Sequence, residues 1–181
     1  MKNLKIQLVL VMSVLVSTLS FAQTKMVGGA EMYPSKNIIE NAVNSKAHTT
    51  LVAAVKAAEL VETLSSEGPF TVFAPTNSAF GKLPEGTVET LLKPENQKQL
   101  QTVLTYHVIA GRFSAKDVVA AIEKGNGKAE LKTVSGGTLI AMLDGKNVKI
   151  KDSKGNVATV TIADVNQSNG VIHVIDTVLL P

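Results

Sequence analysis

The chain has 181 residues, 45% hydrophobic and 18% charged, which suits one domain with a sizeable core and argues against disorder. The formal charge of +3 includes Lys2 and Lys5 in an acid-free leader; without them 16 basic residues face 15 acidic ones, and no global field favours nucleic acid or an anionic membrane. With no cysteine, no Trp and 4% aromatics, the chain has no disulfide, thiolate metal site, Cys nucleophile or lipidated cysteine, and little with which to stack bases or sugars.

Residues 1–22 read as a secretory signal peptide. Lys2 and Lys5 give the positive start, Ile6 to Leu19 the apolar run, and Ser20-Phe21-Ala22 the small residues before a cleavage site. That run is 14 residues and partly polar, short of the ~20 a membrane span needs, so no transmembrane span is expected. The product is expected to be secreted or periplasmic, or held at the cell surface. Residues 23–34 read as a flexible N-terminal tail, and 35–181 as a single domain.

The first half has helical spacing. Ile38, Ile39, Ala42 and Val43 form one stripe, and Leu51, Val55, Ala58 and Val61 a second that Gly68-Pro69 ends. Phe70 to Ala74 is a predicted strand closed by Pro75, and Thr76 or Asn77 caps a short helix with Ala79 and Phe80. Pro94 suits the first turn of a helix that turns Leu100, Val103 and Leu104 inward. Tyr106 to Ile109 reads as a strand ended by Gly111, and Ser114 to Asp117 as a capping box. From Ala129 onward β-branched runs alternate with turns. Predicted strands cover Thr138–Leu143, Val148–Lys151, Val157–Ile162 and Val171–Leu180, the last buried on both faces. The fold class is α+β, helices first and an antiparallel sheet system after.

No pattern assembles a reaction centre. Gly-x-Ser-x-Gly, G-x-G-x-x-G and Walker patterns do not occur. His48, His107 and His173 make no His-x3-His or Glu-x-x-His pair, so no metal is assigned. Asp152 to Asn156 superficially resembles a calcium loop. Lys154 falls where an oxygen ligand belongs and the glycine comes early, so the segment reads as a polar hairpin turn. His107 and His173 sit in apolar runs and read as neutral, hydrogen-bonded core residues, as does Tyr106. Asp176, between Ile175 and Val178, is expected to be buried and paired, costing about 2–4 kcal/mol on truncation.

Three blocks carry a resemblance. Phe70 to Phe80, with Phe73, Ala74, Pro75, Thr76 and Phe80, looks like the first signature of fasciclin domains. Tyr106-His107 matches the family's central pair, and Asn169 to Pro181, with Gly170, His173 and Asp176, its closing block. All three stand in the family's order, so the chain is identified as a single-domain secreted bacterial member of it. The resemblance implies a wedge-shaped β-sandwich with helices packed around it. It implies non-enzymatic adhesion or protein interaction, without catalytic residues or cofactors. The partners would be a protein or extracellular-matrix surface, or a second copy of the chain, and not nucleic acid. Asp164-Val165 matches a family Asp-Ile integrin-binding pair, with Val in place of Ile. Beside that stands a structural reading, in which Asp164 ends a strand and bonds the turn at Asn166 to Asn169, costing roughly 1 kcal/mol or less when truncated. The alternatives are a carrier with an apolar pocket between helices and sandwich and, more remotely, a hydrolase.

Overall fold

The structure is a computed structural model and describes residues 24–181. The expected signal peptide lies outside the described residues, as does Gln23. From Lys25 the expected tail is instead a hairpin of β1 (Lys25–Val27) and β2 (Ala30–Met32). Gly28 and Gly29, at φ +59° and +78°, form its turn, a left-handed pair that glycine adopts without strain. Val27 and Met32 are buried in the core, which explains why the segment is ordered.

Helix α1 (Ile38–Ala42) starts in a reciprocal box between Asn37 and Glu40. The predicted second stripe is divided between α2 (Thr49–Ala57) and α3 (Val61–Ser65). The break is Glu59 at φ +57°, where the Leu60 N–H reaches back to the Val55 carbonyl at 3.0 Å. Strand β3 (Phe70–Pro75) leads to α4 (Asn77–Phe80), capped by Thr76. Helix α5 (Thr87–Leu91) and a 3-10 turn at Pro94–Asn96 precede α6 (Gln97–Tyr106). Tyr106 is thus the last residue of a helix and His107 its C-cap; only β4 (Val108–Ala110) is extended. The Ser114–Asp117 box opens α7 (Ala115–Lys124).

Strands β5 (Lys128–Lys132), β6 (Thr138–Asp144), β7 (Asn147–Lys151), β8 (Val157–Gln167) and β9 (Gly170–Ile175) complete a seven-stranded sheet ordered β4-β3-β9-β8-β7-β6-β5. It is mixed rather than antiparallel, because β3 lies parallel to β9 and brings Phe73 opposite His173. Strand β8 runs five residues past the predicted Ile162, through register shifts between Val160 and Val165, and β9 stops at Ile175. The Val134 N–H bonds the Val108 carbonyl at 2.8 Å, drawing the two sheet ends together.

Alternation along the central strands divides the core. Val72, Ala74, Ile172 and Val174 face the helices and the hairpin. Phe73 and Ile175 face inward, with Tyr106, Ile122, Leu139, Ile150 and Leu179. Each fully buried Leu, Ile or Phe contributes roughly 1.5–3 kcal/mol to these two layers. The whole of β9 is buried, as a strand covered on both faces requires.

Candidate functional site

The end of α6 is knotted to the C-terminus. Tyr106 is 1% exposed; its hydroxyl donates to the Thr138 carbonyl at 3.0 Å and accepts from the Ser153 N–H at 3.1 Å. His107 donates from Nδ1 to the Val103 carbonyl at 2.8 Å, and its Nε2 accepts the Leu179 N–H at 3.0 Å. Burial lowers its pKa to about 4, against the opposing pull of the Val103 carbonyl and of the Asp152 charge. Asp152 is the buried carboxylate here, 3% exposed. Its Oδ1 accepts the N–H groups of Lys154 and Asn156, and its Oδ2 the Asn156 amide and the Leu180 N–H, at 2.7–2.9 Å. Those oxygens are occupied by the turn itself. The first-residue Asx pattern of Asp152-Ser-Lys-Gly-Asn was the signal for the turn; its link to Leu180 is tertiary and left none.

Asp176, expected in the core, is half exposed just beyond β9. Its Oδ1 accepts the Thr159 N–H at 2.8 Å and the Thr177 hydroxyl at 3.1 Å, with Lys82 3.8 Å from the other oxygen. The chain leaves the ladder at Ile175, so the alternation that would have turned this carboxylate inward stops one residue early.

Asp164 and Val165 part company. Val165 is 1% exposed and belongs to the helix-side core, so the pair offers no aliphatic surface contact. Asp164 lies within β8, not at its end, at the bulge and at φ +54°. Its Oδ1 accepts the Ala115 N–H at 2.7 Å, the first residue of α7, and not a group of the 166–169 turn. Its own N–H donates to His173 Nδ1 at 3.3 Å, while His173 Nε2 donates to the Phe113 carbonyl at 2.8 Å. Burial holds the His173 pKa below its ordinary value; the Phe113 carbonyl and the Asp164 charge oppose the shift, and Lys25 reinforces it. Gly170 faces the Phe70 carbonyl so closely that a Cβ would overlap it. Pro75 closes the parallel ladder opposite Ile175, and Phe80 packs on Val178.

Between the helices and the sheet lies an apolar crevice of about 50 Å³, walled by Val27, Ile38, Leu51, Val55 and Ile172. Ligand pockets usually exceed about 300 Å³, so this one does not enclose a carrier's cargo in the present conformation. His48, on its wall, bonds Ser45 Oγ through Nδ1 at 2.9 Å. Among the described residues its Nε2 has no partner in hydrogen-bond geometry, although the Ala74 backbone lies close enough to favour the charged ring; burial outweighs that and lowers the pKa. Among the described residues no cluster of acidic and histidine side chains could hold a metal, and no helix is long and apolar enough to cross a membrane.

Comparison with known proteins places this geometry. The chain is 49% identical to Protein sll1483 of Synechocystis sp., over 88% of this chain and 81% of that one. It is 46% identical to Uncharacterized protein sll1735 of the same organism, over 80% of this chain and 97% of that one. Among solved structures it matches a FAS1 domain pair from the insect cell adhesion molecule fasciclin I. There the TM-score is 0.71 and the identity 19%, covering 81% of this chain and 51% of that chain. The family model described as Fasciclin domain matches residues 46–181, so the chain belongs to the fasciclin domain family.

Proposed function

We propose that the chain is a non-enzymatic interaction module, exported from the cytoplasm, that offers a folded surface to a protein or matrix partner. One observation carries the reading: the family's signature side chains are spent on the framework. Tyr106, His107 and His173 are buried, and every polar atom of their side chains bonds the backbone. Buried and so engaged, these side chains offer a substrate neither a proton nor an accessible lone pair, which leaves the surface for recognition. The fold it shares with the insect cell adhesion molecule supports the same reading.

The test is attachment. Beads coated with the purified protein should be retained on the cell envelope or extracellular matrix of the producing organism, well above albumin-coated beads. Retention should be unchanged by Tyr106→Phe at temperatures where that variant is folded. Beads no stickier than albumin, together with an ester, peptide or glycoside turnover abolished by His107→Ala in folded protein, would overturn the proposal.

A further inference from the structure

The near-neutral charge of the chain hides a segregation. Residues 124–154 hold seven lysines against Glu130, Asp144 and Asp152, whereas the other described residues hold nine basic against twelve acidic. Asp152 is turned inside on four N–H groups, and Asp144 is paired with Lys149 at 2.5 Å. Lys128, Lys132, Lys149 and Lys151 lie on β5 and β7, with Glu130 among them, while Lys124 ends α7 and Lys146 and Lys154 sit in turns.

Strand register shows which way the strand lysines point. Ala129, Leu131, Leu139, Ala141, Ile150 and Ala158 are buried inside the sandwich. Their neighbours along each strand point the other way. On that outer face Lys128 stands opposite Met142, and Met142 opposite Lys149. Ile140 stands between Glu130 and Lys151, and Lys132 opposite Thr138. Helix α7 packs on the inner side through Val118 and Ile122. The outward residues of β6 thus form an uncharged column, Thr138-Ile140-Met142, with Lys128, Glu130 and Lys132 of β5 along one side and Lys149 and Lys151 of β7 along the other. At about 4.8 Å between strands, the two lysine columns stand roughly 10 Å apart.

We propose that this face binds a linear acidic polysaccharide, laid along β6 so that its carboxylates meet Lys128 and Lys132 on one side and Lys149 and Lys151 on the other. The inference rests on the reading of the chain as an interaction module and names its surface and partner class. Charge complementarity along two parallel lines fits a polymer carrying acidic groups on both edges of a neutral backbone. A bilayer fits worse: Ile140 and Met142 are only partly exposed, and the exposed apolar side chains nearby, Val134, Leu143 and Val157, are aliphatic, with no aromatic anchor among them. Nucleic acid fits worse too, because the face has no aromatic ring for a base and no arginine for a bidentate phosphate contact.

The test is titration of the purified protein with sodium polygalacturonate at about 10 mM salt, where charges act over about 30 Å. Dextran, phosphatidylglycerol vesicles and a single-stranded oligonucleotide are parallel arms. Polygalacturonate should bind, dextran should not, and log K should fall against log salt with a slope of about −3 for four lysines. Lys→Gln at 128, 132, 149 and 151 together should weaken binding about tenfold or more. The same change at Lys46, Lys56, Lys93 and Lys98, equal in charge but elsewhere on the fold, should leave it within about twofold. The double variant Lys128→Gln/Lys132→Gln, both on exposed edge-strand positions, gives an intermediate loss and guards against misfolding of the quadruple. Equal loss in both quadruple variants, tighter binding to vesicles or oligonucleotide, or no binding to polygalacturonate would overturn the proposal. Failure of the parent reading looks different: it is loss of bead attachment by the unmodified protein, whereas beads that attach equally well with the lysines replaced sink only the polysaccharide.

Discussion

Replacing Asp164 separates the two things that hold the β8 bulge. The carboxylate accepts the first N–H of α7 at 2.7 Å, where the helix dipole favours negative charge, and the backbone sits at φ +54°. Asp164→Ala loses both advantages. A hydrogen bond to a charged group contributes about 1.5–3 kcal/mol, of which partial exposure leaves roughly 1–1.5. A left-handed alanine adds about 1 kcal/mol or more. The expected loss is about 2–3 kcal/mol, well above the 1 kcal/mol that a strand-end turn residue would cost. Asp164→Gly removes the acceptor but relieves the backbone and should cost about 1–1.5 kcal/mol. Asp164→Asn keeps an amide oxygen and a tolerance for positive φ, and should cost about 0.5–1 kcal/mol. Urea melts at pH 7 with a common m-value measure the series. An alanine variant within about 0.5 kcal/mol of wild type, or alanine and asparagine variants equally unstable, would refute the reasoning. The asparagine variant is therefore the one to use in attachment assays, since a loss there could not be blamed on unfolding.

Met32→Ala should cost about 2–4 kcal/mol in the same melts, because the side chain is 3% exposed in the helix-side core; a change near zero would return the hairpin to the status of a tail. Asp152→Ala should cost about 3 kcal/mol or more by stranding four N–H groups, and Asp176→Ala about 1 kcal/mol; the reverse order would show that the C-terminus is not tied where described. His107 binds a proton near pH 6.5 when unfolded but only near pH 4 when folded, so it favours the folded state fully above 6.5 and ceases to as pH falls from 6.5 to 4. Stability should drop by up to about 1.4 kcal/mol per pH unit in that window, beyond what His48 and His173 add. His107→Asn, less stable at neutral pH, should show a flatter profile, and an unchanged slope would count against a neutral buried ring.

Local chemistry was legible in the sequence, and long-range pairing was not. The Ser114–Asp117 box, the Thr76 cap and the turns between β6, β7 and β8 are contained in four or five residues each, and the structure has them. The break at Glu59 was hidden, because a charged residue at positive φ carries none of glycine's signal. Tyr106 sits in an apolar run that reads equally as a helix end or a strand start, and only packing under Thr138 and Ser153 decides it. The Gly28-Gly29 pair between Lys-Met-Val and Ala-Glu-Met was a readable hairpin signal, but strands of three residues are too short to show a periodicity. The burial of Val165 follows from a bulge that flips the register of β8, and periodicity within one strand does not show a bulge. The parallel neighbour of β9 lies a hundred residues earlier, beyond any local rule.

That neighbour has a consequence for how the chain comes to be folded. Phe70 pairs with Gly170 and Pro75 with Ile175, so the middle of the sheet joins two segments separated by most of the domain. Until β9 has left the ribosome, β3 has β4 on one side and a bare edge on the other, and neither core layer has its central wall. Closing so long a loop costs entropy before any pairing returns it, which places such domains among slow folders, in the range of milliseconds to seconds. A polypeptide that stays open until β9 emerges completes neither core layer while its first half is being made. Synthesis that ends before Gly170 leaves an unpaired apolar edge, a template for aggregation rather than a smaller working domain.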